Sequence, residues 1–461
     1  MKNRREFIRK FAAGGLALAA SNKVAIGKEV YELNSNLLPH RSFSANNQIN
    51  LALIGVGIQG FSNARAAVQV PGIKIVAACD LYSGRLIRAQ ELYGKEVKVT
   101  KDYREILQME EVDAVCISTT DHWHDHITIA ALKAGKAVYC EKPMVHQLEE
   151  GLAVVDAEKK YGLPLQVGSQ RVSSILTEKA AELFAQGWIG ELNLVEISAD
   201  RASSGGAWQY SIPTDAGPDT VDWESYIGDA PKVPYDSNRF FRWRNYQDYG
   251  TGIAGDLFVH SFSSLHAITG SLGPERIFGT GGLRFWKDGR DVPDITLGLY
   301  DYPATEKHPA FNVQMRVSFV DGSRSPSVMR LVGTEGVIDL KNSSVILKRT
   351  KVSTQPTYGG WDSFDTFSEA QQKDFERWFA AQNGTPRATV QEPEEIIYTS
   401  PKGYSNHVDH WAYFAESIRN GTALLEDSAF GLRAAGPSLA TNDSLFEKKI
   451  IHWDPIGMKK I

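Results

Sequence analysis

Three groups of residues in this 461-residue chain have the types and spacing to do chemistry together. The first is Gly55-Val56-Gly57-Ile58-Gln59-Gly60, between an apolar run at 51–54 and residues able to continue as a helix at 63–70. Gly55 permits a tight turn and Gly57 lets backbone approach a pyrophosphate. Gly60 lets the helix pack close to the strand, with its N-terminal amides facing the anion. A second apolar run, 73–79, ends on Asp80. A carboxylate at that spacing accepts hydrogen bonds from adenosine ribose hydroxyls and repels a 2′-phosphate, which favours NAD over NADP. The second group is Glu141-Lys142-Pro143. A lysine at the carboxyl end of a sheet strand projects into the cofactor crevice. There it polarises or protonates an alkoxide oxygen while hydride moves to or from nicotinamide. The third is Asp256 and His260, four residues apart and therefore on one face of a helix beginning at Gly255. The carboxylate would fix the tautomer and orientation of an imidazole that exchanges protons with a substrate hydroxyl. Taken singly, each has a structural alternative: Asp256 as a helix cap, His260 as a core histidine, Lys142 as a solvated surface residue. Their convergence with the glycine turn favours chemistry.

The loop Thr119-Thr120-Asp121-His122-Trp123-His124 is rich in histidine and aspartate but lacks HExxH or any comparable metal spacing. It reads as a lining for the nicotinamide end of the cofactor, with no metal expected. Arg171 and the aromatic, basic segment containing Arg239, Arg242 and Trp243 are candidate substrate contacts. The competing role for them is structural, with arginines stacked on tryptophans. Cys79, Cys116 and Cys140 each fall at or near the end of an expected strand, and their odd count suits small buried hydrophobes better than a disulfide framework.

The elements that must position these groups alternate at short spacing. Helices are expected at 86–93, 103–109, 126–134 and 148–161, and strands at 113–118, 137–140 and 163–167. That order predicts a right-handed parallel sheet, with the glycine turn, Asp80, the Thr119 loop and Lys142 all at carboxyl ends. Beyond residue 168 the pattern changes. A helix at 177–186, a strand at 192–199, a loop-rich insertion at 201–249 and later strands at 311–319, 327–332 and 345–348 indicate a mostly antiparallel sheet. A helix at 408–420 follows. The fold class expected is α/β: an N-terminal Rossmann parallel sheet over 48–168, then an α+β domain over 169–461 with an open, mostly antiparallel sheet.

A formal net charge of -5 and the absence of a basic stripe argue against a nucleic-acid partner. Arg4-Arg5 precedes a short Ala/Gly-rich apolar run at 11–20, which resembles a twin-arginine export signal. Residues 28–47 read as a linker or mature N-terminal arm. The expectation is a periplasmic or otherwise exported protein, free of the membrane once the signal is removed. Since the twin-arginine route carries folded proteins to a compartment without an NAD pool, the cofactor should be loaded before export.

These motifs resemble the glucose-fructose oxidoreductase / inositol dehydrogenase / MocA (Gfo/Idh/MocA) family over most of the chain after about residue 48. The resemblance rests on Gly55-x-Gly57-x-x-Gly60, Thr119-x-x-x-x-His124, Glu141-Lys142-Pro143 and Asp256-x-x-x-His260. It implies an active site between the two domains, Lys142 and His260 acting on the substrate hydroxyl with help from Asp256, and dimers or tetramers formed on the open sheet. The signal, the Asp121-His122-Trp123-His124 loop and Asp222-Trp223-Glu224 look like the exported bacterial branch, whose members act on carbohydrates. One subgroup there is an NAD-dependent glycosidase whose members lack the lysine of the Glu-Lys-Pro motif. Lys142 therefore favours a simple dehydrogenase of a sugar, cyclitol or glycoside, with the redox-assisted glycosidase or lyase as the alternative.

Overall fold

The computed structural model describes residues 28–34, 48–323, 327–350, 356–383 and 394–461, so the export signal lies outside the described residues. The described chain opens on strand β1 (Lys28–Glu32), in the stretch read as a linker or mature N-terminal arm. It pairs in parallel with Glu394–Thr399, Tyr31 opposite Tyr398, and the two rings stack at 5.7 Å. The sequence of β1 carries no strong strand signal. An available sheet edge supplies the hydrogen bonds that local propensity does not.

The expected parallel sheet forms from β2 (Ile49–Ile54), β3 (Ile73–Cys79), β4 (Lys98–Thr100), β5 (Ala114–Ile117), β6 (Ala137–Cys140) and β7 (Leu165–Val167). Their order is β4-β3-β2-β5-β6-β7, so the sheet reverses direction beside β2, where its glycine turn opens. Strands β5 and β6 are buried at every residue, as helices on both faces of a parallel sheet require. Cys79, Cys116 and Cys140 are buried free thiols in this core.

The second sheet comprises β8 (Leu192–Ser198), β9 (Arg276–Gly282), β10 (Ile295–Tyr302), β11 (Phe311–Ser318), β12 (Val328–Gly333), β13 (Gly336–Leu340), β14 (Ser344–Arg349), β15 (Glu394–Thr399), β16 (Ile451–Asp454) and β17 (Lys459–Lys460), with β1 at its edge. It is mostly antiparallel; β8 with β11 and β1 with β15 are the parallel pairs. Along β11, Phe311, Val313, Met315 and Val317 point inward while Asn312, Gln314 and Arg316 are exposed, a period of two that marks one covered and one open face. Helices Ile175–Ala185, Val259–Thr269 and Ser428–Glu447 lie on the covered side, where Phe262, Leu265, Met315 and Leu331 are fully buried. Burying such side chains contributes about 1.5–3 kcal/mol each.

The chain crosses back to the first sheet through helix Asn406–Asn420. Its Trp411 is fully buried and stacks on Tyr139 of β6 at 4.2 Å, and His410 bonds to the Val167 carbonyl and the Ser173 hydroxyl. One face of the N-terminal sheet is thus completed by residues far along the chain. Among the described residues no helix is long and apolar enough to cross a membrane.

Candidate active site

At the carboxyl ends of β2, β3, β5 and β6, a crevice of about 850 Å³ opens, its other side lined by residues from Gln170 onward. The glycine turn forms one wall. Gly55 has a positive φ of 85°, and a Cβ there would come within 2.6 Å of the Ser118 backbone. A Cβ on Gly60 would collide with the Gly55 carbonyl oxygen, so Gly60 is the residue of close helix–strand approach and does not itself line the crevice. A Cβ on Gly57 would instead point toward the Arg85 guanidinium at 3.6 Å. Helix Ile58–Ala67 begins directly on this turn, earlier than the sequence suggested, with Gly57 as its N-cap. Its first-turn amides are those a helix leaves without internal acceptors. A bare backbone surface, free amides and a guanidinium fit a dinucleotide pyrophosphate.

Asp80 lines the crevice, and its carboxylate is already engaged. Oδ2 accepts from the Val56 amide at 2.9 Å and Oδ1 from the Tyr82 amide at 2.9 Å, while Arg85 lies 3.4 Å away. Arg85 also lies over the rings of Phe240 and Phe241. As a cation beside Asp80, Arg85 weakens the repulsion of a 2′-phosphate expected from the carboxylate alone.

The Thr119 loop divides. Thr119, Thr120, Asp121, Trp123 and His124 line the crevice, but His122 does not. His122 is packed among Trp123, Tyr226 and Tyr249, with Nε2 against the Tyr226 carbonyl at 3.0 Å. Burial outweighs that bond and pulls its pKa down to about 4. Asp121 accepts from the Thr251 amide and hydroxyl at 3.0 and 2.8 Å, tying the loop to the Gly250–Gly255 segment, and burial pushes its pKa up. His124 Nδ1 bonds to the Pro143 carbonyl at 2.7 Å, which holds the loop to the segment bearing Lys142. Glu141 accepts from Gln59 and Asn63, both at 2.9 Å. Among the described residues no cluster of His, Cys, Asp or Glu is gathered to hold a metal ion.

Lys142 Nζ reaches Asp256 twice, at 2.7 Å to Oδ1 and 2.9 Å to the backbone oxygen. Arg244 Nε donates to the same Oδ1 at 3.1 Å. Among the described residues Asp256 makes no hydrogen bond to His260, its carboxylate being taken by Lys142 and Arg244, and it acts on the imidazole through charge alone. Residues Ala254–Phe258 make a π-helical turn before the α-helix Val259–Thr269, and both Asp256 and His260 line the crevice. Burial alone would raise the Asp256 pKa; Lys142 and Arg244 outweigh it and hold the carboxyl well below its ordinary range. His260 lines the same crevice, and its buried Nδ1 has no hydrogen-bond partner among the described residues. Proton exchange toward the crevice therefore falls to Nε2. Burial, then Lys142 and Arg171, push its pKa well below that of a free histidine, so the imidazole is neutral at pH 7.

Of the candidate substrate contacts, Arg171 and Trp243 line the crevice and Arg239 and Arg242 do not. Arg239 pairs with Asp248 at 2.9 Å and lies over the Tyr246 ring; Arg242 donates to the Tyr210 carbonyl and Gln209. Both hold the insertion together, the structural role weighed against binding in the sequence. Arg244, Arg201 and Arg85 were missed. Arg244 stood in the same basic run, and only its reach to Asp256 separates it from its neighbours.

Residues 49–169 match the family GFO_IDH_MocA, described as an oxidoreductase family with an NAD-binding Rossmann fold. Over 125 residues the chain is 33% identical to an inositol 2-dehydrogenase of Salmonella typhimurium and 36% identical to one of Klebsiella pneumoniae. Each match covers 27% of this chain and 37% of the relative, so the likeness spans little more than a third of those enzymes. Over the whole fold the chain is similar to a levoglucosan dehydrogenase solved with NADH and levoglucosan, with a TM-score of 0.61 at 17% identity, covering 88% of this chain and 99% of that one. A scyllo-inositol dehydrogenase from Lactobacillus casei gives a TM-score of 0.59 at 17% identity, covering 88% and 98%.

Proposed function

We propose that this chain, a member of the Gfo/Idh/MocA oxidoreductase family through its NAD-binding domain, is an NAD-dependent dehydrogenase acting on a secondary hydroxyl of a sugar or cyclitol. The observation that carries the reading is the meeting of Lys142, Asp256 and His260 in the crevice that the glycine turn opens into. The turn, the first-turn amides of helix Ile58–Ala67 and Arg85 would hold the pyrophosphate, and Asp80 would face the adenosine ribose. Bound NAD supplies the hydride acceptor. The inositol and levoglucosan dehydrogenases among the similar proteins support a polyhydroxylated substrate.

The residues divide the proton work. Asp256 and its carbonyl hold the Lys142 ammonium in one place, where it can donate to the oxygen that gains or sheds charge. Neutral His260 has a free Nε2 to accept the hydroxyl proton during oxidation and to return it during reduction. Arg244 keeps Asp256 ionised while Lys142 exchanges its own bond for one to substrate. Pairing through the open face of the second sheet would give a homodimer or tetramer, and the Arg4-Arg5 segment would direct the folded, cofactor-loaded protein to the periplasm.

The test is the absorbance of purified protein with NAD and a panel of sugars and cyclitols. Growth of the near-ultraviolet band of reduced nicotinamide, lost in Lys142→Met and His260→Ala proteins that still bind NAD, is the expected result. Release of aglycone from aryl glycosides without added NAD or net reduction would overturn it in favour of a redox-assisted glycosidase.

A further inference from the structure

The substrate end of the crevice carries more positive charge than the hydroxyl chemistry uses. Lys142 and Arg244 share Asp256. Arg171 and Arg201 line the same space, and among the described residues neither has a carboxylate partner. Arg201 donates to the Gly206 carbonyl at 2.9 Å and lies over the Phe319 ring at 5.4 Å, which fixes its guanidinium without neutralising it. Arg171 is exposed to the crevice, and its guanidinium makes no hydrogen bond or ion pair among the described residues. The crevice walls and, second, the charge of Arg201 lower its pKa. The acid nearest by sequence, Asp200, is committed elsewhere: it pairs with Arg316 and accepts from the Ser318 amide at 2.8 Å.

The cofactor does not account for these two arginines. Its pyrophosphate belongs at Gly55–Gly60 beside Arg85, whereas Arg171 lies in the exit from β7 and Arg201 follows β8, on the side of the second domain. Two guanidiniums without an acid partner in one crevice leave positive charge that a ligand can neutralise, and a planar oxyanion is the group such forks match.

We propose that the substrate is an anionic carbohydrate whose oxyanion is held between Arg171 and Arg201 while its reacting hydroxyl lies at Lys142 and His260. This rests on the dehydrogenase reading and specifies its substrate class. A sugar acid carboxylate and a phosphate or sulfate ester share the required chemistry.

Matched pairs test it: glucose with glucuronate and galactose with galacturonate, plus glucose 6-phosphate and glucose 6-sulfate as ester arms. Each is offered to the holoprotein with NAD while nicotinamide reduction and quenching of tryptophan fluorescence are followed. The anionic member of a pair should show kcat/KM higher by about 10- to 100-fold, the value of one or two charged hydrogen bonds. Arg171→Gln should collapse that ratio through KM and Arg171→Lys should restore part of it, with thermal unfolding confirming that both variants fold. Preference for an ester arm would assign the oxyanion to phosphate or sulfate. Neutral sugars reacting as well as their acids, or a ratio unmoved in Arg171→Gln, would overturn the proposal and leave the dehydrogenase reading intact. Saturable quenching by uronates alone, without nicotinamide reduction, would support the anion site while overturning the dehydrogenase. Neither quenching nor reduction by any anionic sugar would overturn the anion site.

Discussion

Replacing Asp256 by Asn removes the single anion that two cations share. Lys142 and Asp256 have side chains only 9% and 8% exposed, and Arg244 is 19% exposed. With the carboxylate gone, an ammonium and a guanidinium face the same uncharged oxygen. Breaking a buried ion pair from one side costs about 3–5 kcal/mol, and the lower end applies here because the crevice is open to water. The expected loss is therefore about 3 kcal/mol in urea unfolding followed by tryptophan fluorescence. Lys142→Met is the internal control. Arg244 still neutralises Asp256 in that variant, so the stability loss should be smaller, about 1 kcal/mol, while kcat falls by about 10²- to 10⁴-fold. The pH dependence follows from the depressed Asp256 pKa. A carboxylate of this kind contributes its full stabilisation above its unfolded value near 3.9 and loses it as pH falls toward the folded value. The gap between wild type and Asp256→Asn should be flat from about pH 5 to 8 and shrink only below about pH 4. If Asp256→Asn is as stable as wild type, or Lys142→Met is the more destabilised, the carboxylate is not the centre of this cluster.

Because burial and nearby cations lower the His260 pKa, the acid limb of the pH–kcat/KM profile should lie below about 6.5, and His260→Ala should lower kcat by about 10²- to 10⁴-fold. Trp411→Ala should cost about 3–5 kcal/mol and weaken NAD retention, read by calorimetry and dialysis, since the ring stacks on Tyr139 in the core under the nucleotide sheet. Arg239→Gln should lower stability by about 1 kcal/mol through the lost Asp248 pair and leave KM for substrate unchanged; a rise in KM would return Arg239 to the binding site. Gly60→Ala should abolish NAD binding in equilibrium dialysis while the second domain stays folded, because its Cβ meets the Gly55 carbonyl.

What could be read from the sequence was what is fixed by neighbours along the chain. The glycine turn, the strand ending in Asp80, the strand before Glu141-Lys142-Pro143 and the alternation that makes a parallel sheet depend on backbone freedom and apolar period within some thirty residues of one another. Where the carboxyl ends point follows from that alternation, so the crevice was legible too. The partners of charges were not. Spacing placed Asp256 and His260 on one helix face, but two cations from elsewhere in the chain, Lys142 and Arg244, took the carboxylate. The basic run looked like one binding segment, and packing turned Arg239 and Arg242 inward to the insertion while Arg244 alone reached the carboxylate. Strand β1 and Trp411 found partners hundreds of residues away because a sheet edge and an uncovered sheet face bind whatever chain returns to them. Periodicity and turn chemistry act along the chain; ion pairing and desolvation act through space, and only the folded arrangement sets those distances.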